Sequence, residues 1–189
     1  MKPIEYIKSY VFSSFREGTQ ISRFNIIAAA ILGAPAHFLF YFLFKYIFQL
    51  PYENIFLRLT AVLLCLVTLF KLRDDNFLGK YFPVYWHMML IFVLPFIFTA
   101  YLLKNNFHEL WLYWEIFMIF ILISFVPNWL MFLFDLAVGV FAAILFFVLT
   151  TPSLNLQPEF DIPLYTLVIF FTMVAGYVFS YSNRKGMLA

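Results

Sequence analysis

The chain has very little of what a soluble enzyme or a metalloprotein needs. Charged residues make up 12% of it, and it has a single cysteine, Cys65. A lone thiol excludes a disulfide framework and a cysteine cluster for a metal. The three histidines lie in different segments, and the sequence has no HxxxH, HExxH or GxSxG motif and no phosphate-binding loop. We therefore expect no catalytic residues, no metal and no cofactor in this chain, and nothing in it indicates nucleic-acid binding.

Polar stretches are also scarce, because hydrophobic residues make up 65% of the chain and aromatic residues 23%. A soluble domain of this size has too little interior to bury so much apolar surface. An apolar run of about 20 residues crosses the ~30 Å hydrocarbon layer of a membrane as a helix. Such runs recur roughly at 25–48, 54–70, 84–103, 110–126, 129–150 and 162–182. The sequence therefore predicts an all-α integral membrane protein, a bundle of six transmembrane helices.

Basic residues are distributed unevenly between the two sides of such a bundle. If six helices alternate, one side receives nine of the twelve lysines and arginines: Lys2, Lys8, Arg16, Arg23, Lys71, Arg73, Lys80, Arg184 and Lys185. The loops of the other side carry the acids Glu53, Glu109, Glu159 and Asp161. Because cytoplasmic loops carry the excess of basic residues, we predict that the N- and C-termini are both cytoplasmic.

The sequence divides into three segments along the chain. Residues 1–24 form a cytoplasmic N-terminal segment, in which Ile4, Ile7, Val11 and Phe15 share one helical face. That face is typical either of a helix lying on the membrane surface or of an ordinary lead-in helix. Residues 25–183 form the six-helix domain, and residues 184–189 follow it. Within the domain, Pro35 and Pro95 predict kinks or local unwinding.

Ionisable groups inside the predicted spans are candidate functional groups, since they are costly in hydrocarbon. Arg58 and Glu115 lie at similar depth in the outer half, and we predict that they form an ion pair. The pair either fixes helix packing only or forms the floor of an outward-opening pocket, which His37 can join. Asp135 is expected to pair with Lys71 or Arg73, or to accept hydrogen bonds from its neighbours, in a structural role. His87 is expected at the membrane interface.

Two stripes of residues favour an apolar ligand with a polar head. Trp111, Trp114 and Glu115 share one face of the fourth span, and Thr172, Gly176 and Phe179 form a stripe on the sixth. Gly176 leaves room either for a lipid-like tail or for a neighbouring helix.

With these residues in view, the chain resembles the membrane sensor region of α-hydroxyketone quorum-sensing histidine kinases of the CqsS and LqsS type. The similarity covers most of residues 25–183. It is carried in collinear order by Gly33-Ala34-Pro35-Ala36, Tyr52-Glu53-Asn54 with Leu57-Arg58, Leu94-Pro95-Phe96-Ile97-Phe98, and Phe171-Thr172 with Val174 and Gly176.

The resemblance implies the sensor domain of a bacterial two-component quorum-sensing kinase, multi-pass in the inner membrane. Its partners would be the lipid bilayer and a small amphipathic, lipid-like α-hydroxyketone. The chain itself would not be an enzyme. Residues 184–189 would begin the linker to a kinase domain, through which the parent protein forms a homodimer. In this family, positions matching Trp111 and Trp114 shape ligand choice, and the position matching Phe179 gauges the ligand tail. We expect the head near Arg58, Glu115 and His37, and the tail between the fourth and sixth spans.

Two other functions fit the same composition. A small six-helix transporter or channel would use Arg58, Glu115 and Asp135 along one polar path. A non-signalling membrane assembly subunit would use its charges only to match partner helices.

Overall fold

A computed structural model describes residues 22–74, 76–126, 128–151 and 162–187. Within these ranges the chain is helical, and no strand occurs. The described residues form six helical stretches, which we number α1 Arg23–Ile47, α2 Ile55–Arg73, α3 Gly79–Lys104, α4 Glu109–Phe125, α5 Trp129–Thr150 and α6 Ile162–Met187. The predicted helix at 4–15 lies outside the described residues. Residues 184–187, predicted as a linker, continue α6.

Helix positions agree with the apolar runs of the sequence, and polar residues between the runs start the helices. The Asn54 side chain accepts hydrogen bonds from the backbone N–H groups of Phe56 and Leu57 at the start of α2. His108 caps α4 and Asn128 caps α5 in the same way. Such side chains satisfy the donors that the first turn of a helix leaves unpaired.

Four of the helices, α1, α2, α3 and α5, are long and apolar enough to cross a membrane. Helix α4 has 17 residues, and the apolar part of α6 is Thr166–Val178. The chain thus has the helices of a membrane protein. That all six cross, and that both termini are cytoplasmic, stay predictions.

Helix α3 is the centre of the fold. Its most apolar window is 78% buried, whereas the corresponding windows of α1, α2 and α5 are 22–28% buried. Helices α2, α4 and α5 pack against α3, while α1 packs on α2 and α6 packs on α4. The outer helices therefore keep broad apolar faces exposed, as expected of helices that face lipid.

Both predicted helix irregularities occur as wider turns. A π-helical turn at Ala29–Gly33 comes just before Pro35, and a second at Phe92–Phe96 contains Pro95. Proline removes a hydrogen-bond donor and clashes with the preceding turn, so a wider turn relieves the crowding. A third π-helical turn, Leu43–Ile47, ends α1.

Two glycines let helices approach closely. A methyl group added to Gly139 of α5 would lie 2.6 Å from Cβ of Pro95 in α3. A methyl group on Gly176 of α6 would meet the end of the Ile123 side chain in α4. The sequence predicts that Gly176 leaves room either for a lipid-like tail or for a neighbouring helix. In the structure the neighbouring helix α4 occupies that space.

The two contacts predict unequal costs for the same substitution. Gly139→Ala should lower the free energy of unfolding in detergent by about 1–3 kcal/mol, because the Pro95 ring is fixed to the backbone. Gly176→Ala is the matched control and should cost less, because the Ile123 side chain can rotate away. Denaturant titration of both variants checks this, and equal costs would contradict the packing described.

Candidate functional site

Arg58 lies in the first turns of α2 with none of its surface exposed. Glu53, just before the Asn54 cap, folds back over the start of the helix and binds Arg58. The guanidinium donates from Nη2 to Oε1 of Glu53 over 2.6 Å and from Nε to Oε2 over 3.3 Å. This two-point geometry is the strong form of an arginine–carboxylate pair.

His37 is the third member of this polar cluster, which consists of Glu53, Arg58 and His37. Nη1 of Arg58 donates to Nδ1 of His37 in α1 over 3.3 Å. Four aromatic rings surround the guanidinium, with centroids 4.5–5.9 Å from its central carbon: Phe40, Phe44, Tyr101 and Trp111. Stacked rings stabilise a cation that has lost its water.

The loop that carries Glu53 is fixed to the end of α3. The Tyr101 hydroxyl donates to the carbonyl oxygen of Asn54 over 3.0 Å. The Asn105 side chain donates to the carbonyl oxygen of Tyr52 and accepts from its N–H. Burial raises the pKa of the Glu53 carboxyl, and the hydrogen bonds from Arg58 oppose that rise. The loop therefore holds the Glu53 carboxylate at a buried position, where a carboxylate is stable only when it is paired, here with Arg58.

The predicted ion pair between Arg58 and Glu115 is wrong. Glu115 instead accepts a hydrogen bond from Thr99 of α3 over 2.7 Å, and its second oxygen is buried with no hydrogen-bond partner among the described residues. Both residues are buried in the bundle, but Glu53 supplies the charge that Arg58 needs. This pairing was not predicted, because the sequence placed Glu53 in a loop, outside the spans. Glu53 precedes Arg58 by five positions across a helix cap, and this spacing was the signal available.

An elongated cavity of about 450 Å³ lies beside this cluster. Helices α1, α3 and α4 enclose it, with one residue from α2. It is lined by Ala28, Ala29, Leu32, Gly33, Ala36, His37, Phe40, Cys65, Met89, Leu90, Val93, Leu94, Phe98, Trp114, Phe117, Phe120, Ile121, Ser124 and Phe125. The lining is apolar apart from His37, Cys65, Ser124 and the indole N–H of Trp114. The volume of the cavity is that of a small-molecule site.

Contacts between α1 and α4 close the cavity at both ends. At one end Phe40 packs on Trp114 with ring centroids 4.7 Å apart, and Phe44 packs on Trp111 at the same separation. At the other end Nδ2 of Asn25 donates to the carbonyl oxygen of Phe125 over 3.5 Å. The lining from Ala28 to Phe40 corresponds to roughly 18 Å of helix. The cavity thus runs along several turns of α1, far enough for an extended alkyl chain.

The side of the cavity between α1 and α4 is rimmed by exposed apolar residues. Leu32 is 68% exposed, Phe117 50% and Phe120 46%. In a membrane these side chains would meet lipid. The cavity therefore has a lateral, apolar rim.

The structure brings some of the predicted site residues together and separates others. His37 and Trp114 line the cavity, and Arg58 and Trp111 lie directly behind His37 and Phe44. Glu115 does not line the cavity. Thr172 does not line it either, and it donates to the Val168 carbonyl oxygen of its own helix. The Phe179 side chain lies outside the described residues.

The cavity also differs from the predicted ligand position. It runs from the level of His37 toward Ala28 and Phe125, which are the helix ends predicted to be cytoplasmic, rather than toward the outer side. In the described part of the chain α1, α3 and α4 form its walls, not α6. Phe98 and Phe120 belong to this lining and were not predicted. A span that is aromatic on every face gives no signal for the face that lines a cavity.

A second buried polar pair joins α3 and α5. Nδ1 of His87 lies 2.7 Å from Oδ2 of Asp135. The sequence predicts that Asp135 either pairs with Lys71 or Arg73 or accepts hydrogen bonds from its neighbours. In the structure its partner is the neighbouring His87. His87 is buried between the helices, with 8% of its surface exposed. That it lies at the depth of the membrane interface stays a prediction. The described residues contain no group of three potential metal ligands among His, Cys, Asp and Glu.

Comparison with protein-family models, with curated proteins and with solved structures finds no match in any of the three. Functional reasoning therefore rests on the geometry of the cavity and the polar cluster.

The buried pair predicts strong energetic coupling. Arg58→Met and Glu53→Gln should each destabilise the protein by about 3–5 kcal/mol, because each leaves its partner unpaired in the interior. The double variant should cost less than the sum, by at least about 1 kcal/mol. Free energies of unfolding in micelles give the coupling.

Glu115→Gln combined with Arg58→Met is the control for this cycle. Since Glu115 bonds Thr99, the two costs should add within about 0.5 kcal/mol. Strong coupling of Arg58 to Glu115, with none to Glu53, would contradict the pairing.

Proposed function

We propose that the chain is the membrane sensor region of a bacterial quorum-sensing histidine kinase. It would bind a small amphipathic, α-hydroxyketone-like molecule in the cavity between α1, α3 and α4. The observation that carries this proposal is the cavity itself, elongated and apolar with an imidazole near one end. An apolar cleft with few polar groups is the usual form of a small-molecule site.

The shape of the cavity supports an amphipathic ligand. A hydrocarbon tail fits the apolar stretch between Ala28 and Phe98, and the head fits beside His37. Leu32, Phe117 and Phe120 give access from the side, which suits a molecule that partitions into the bilayer. This arrangement keeps the predicted roles of His37 and Trp114. It moves the tail from the α4–α6 contact to the α1–α4 gap.

Six crossings with both termini in the cytoplasm are part of this proposal. Phe44 of α1 contacts Trp111 near the start of α4, and Asn25 contacts Phe125 at its end. The two helices are therefore antiparallel, as the first and fourth of alternating spans must be. The nine basic residues of the predicted cytoplasmic side supply the orientation.

Signalling requires that the ligand stabilise one arrangement of the helices over another. Helices α1 and α4 contact each other through side chains at the two ends of the cavity, and the π-helical turns Ala29–Gly33 and Phe92–Phe96 contribute to its walls. A bound ligand would change the spacing of α1 and α4. Helix α6 packs on α4 and continues to Met187, so it would carry that change toward the kinase.

The transporter alternative receives less support. Arg58, Glu115 and Asp135 each bind a different partner, and none of the three lines the cavity. A polar path for transport would need these groups along one continuous route.

Filling the cavity should abolish ligand retention. Wild-type protein purified in nanodiscs from its host should release a medium-chain amphipathic molecule on solvent extraction, detected by mass spectrometry. Ala36→Phe should retain at most about a tenth of it, because the added ring occupies the cavity lined by Ala36.

Leu39→Phe, on an exposed position of the same helix, is the matched control and should retain the molecule. Equal retention by Ala36→Phe and wild type would show that the cavity is not the site.

A further inference from the structure

We propose that His37 selects the ligand head, by donating a hydrogen bond from Nε2 to an uncharged oxygen acceptor, a carbonyl or hydroxyl. The Glu53–Arg58 pair acts as a positioning pair that sets the tautomer and charge of the site. This inference rests on the proposed function, because it concerns the same cavity.

The hydrogen bond from Arg58 fixes the tautomer of His37. A guanidinium has donors and no acceptor, so Nη1 must donate to Nδ1 across the 3.3 Å contact. A ring nitrogen that accepts carries no proton, and the neutral imidazole then holds its proton on Nε2. The second ring nitrogen of His37 is therefore a donor.

The same geometry leaves Nε2 for the ligand. His37 lines the cavity, whereas Arg58 does not and is fully buried. With Nδ1 committed to Arg58, the ring edge that carries Nε2 is the edge available to a molecule in the cavity. Phe98, whose ring stands edge-on to the imidazole at 6.3 Å, holds the plane of that ring.

Charge balance explains why the head should be uncharged. The carboxylate of Glu53 neutralises Arg58 through two hydrogen bonds. A carboxylate head beside His37 would thus meet no net positive charge and would lose its water. An ammonium head would meet a donor where it needs an acceptor. The other polar side chains of the lining are Cys65, Ser124 and Trp114, which carries an indole N–H. Ser124 donates to the Phe120 carbonyl oxygen in its own helix.

Four probes with one medium-length alkyl chain test this reading. They end in a methyl ketone, a methyl group, a primary amine and a carboxylate. Equilibrium binding is measured on protein in nanodiscs and corrected for partitioning into protein-free nanodiscs. The wild type should bind the ketone about fivefold more tightly than the alkane, the gain of one hydrogen bond, and the two charged probes more weakly than the ketone.

Variants separate direct selection from a structural role. His37→Leu should bind ketone and alkane alike, while His37→Gln, which keeps an amide donor, should retain part of the preference. Glu53→Gln should raise the affinity for the carboxylate relative to the ketone by about tenfold, because Arg58 is then unneutralised. Lys45→Gln, at an exposed position of α1, is the control and should match the wild type.

The outcomes distinguish this inference from the proposed function. If the wild type binds none of the four probes above partitioning, the proposed function fails and this inference fails with it. If it binds ketone and alkane equally, or prefers the amine, the inference alone is overturned. The comparison of ketone and alkane binding by the wild type can overturn the inference even where His37→Leu does not fold.

Discussion

A guanidinium without exposed surface constrains everything packed around it. Arg58 needs a carboxylate, acceptors and polarisable neighbours in place of water, and four different parts of the chain supply them. Glu53 comes from the loop before α2, His37 from α1, Tyr101 from α3 and Trp111 from α4. The positions of α1, α3 and α4 relative to α2 are thereby fixed at one level of the bundle.

The cavity follows from that constraint. Helix α1 contacts α4 through aromatic rings next to Arg58 and through Asn25 at the far end, and the helices stay apart between these points. Small residues of α1, among them Ala29, Gly33 and Ala36, face the gap and do not fill it. Aromatic contacts next to the polar cluster thus close one end of an apolar space, and His37 of the cluster lines that space.

The fold was largely predictable, and the site only in part. Long apolar runs fix helix positions because a membrane helix must cover its whole length with apolar side chains. Arg58 and His37 stood out because polar groups are rare in those runs, and Trp114 stood out because it shares a helix face with Glu115. The partner of Arg58 was missed because the backbone of the loop, held by Asn105 and Tyr101, decides where Glu53 points. No periodicity in the sequence encodes that loop.

The tautomer of His37 tests the central claim most directly. Solid-state or solution ¹⁵N NMR on histidine-labelled protein, assigned with His37→Gln, reports which ring nitrogen carries the proton. The account predicts a neutral ring protonated on Nε2, with an unprotonated Nδ1 whose shift changes in Arg58→Met. A ring protonated on Nδ1, or a doubly protonated ring, would contradict an arginine that donates to His37 and is neutralised by Glu53.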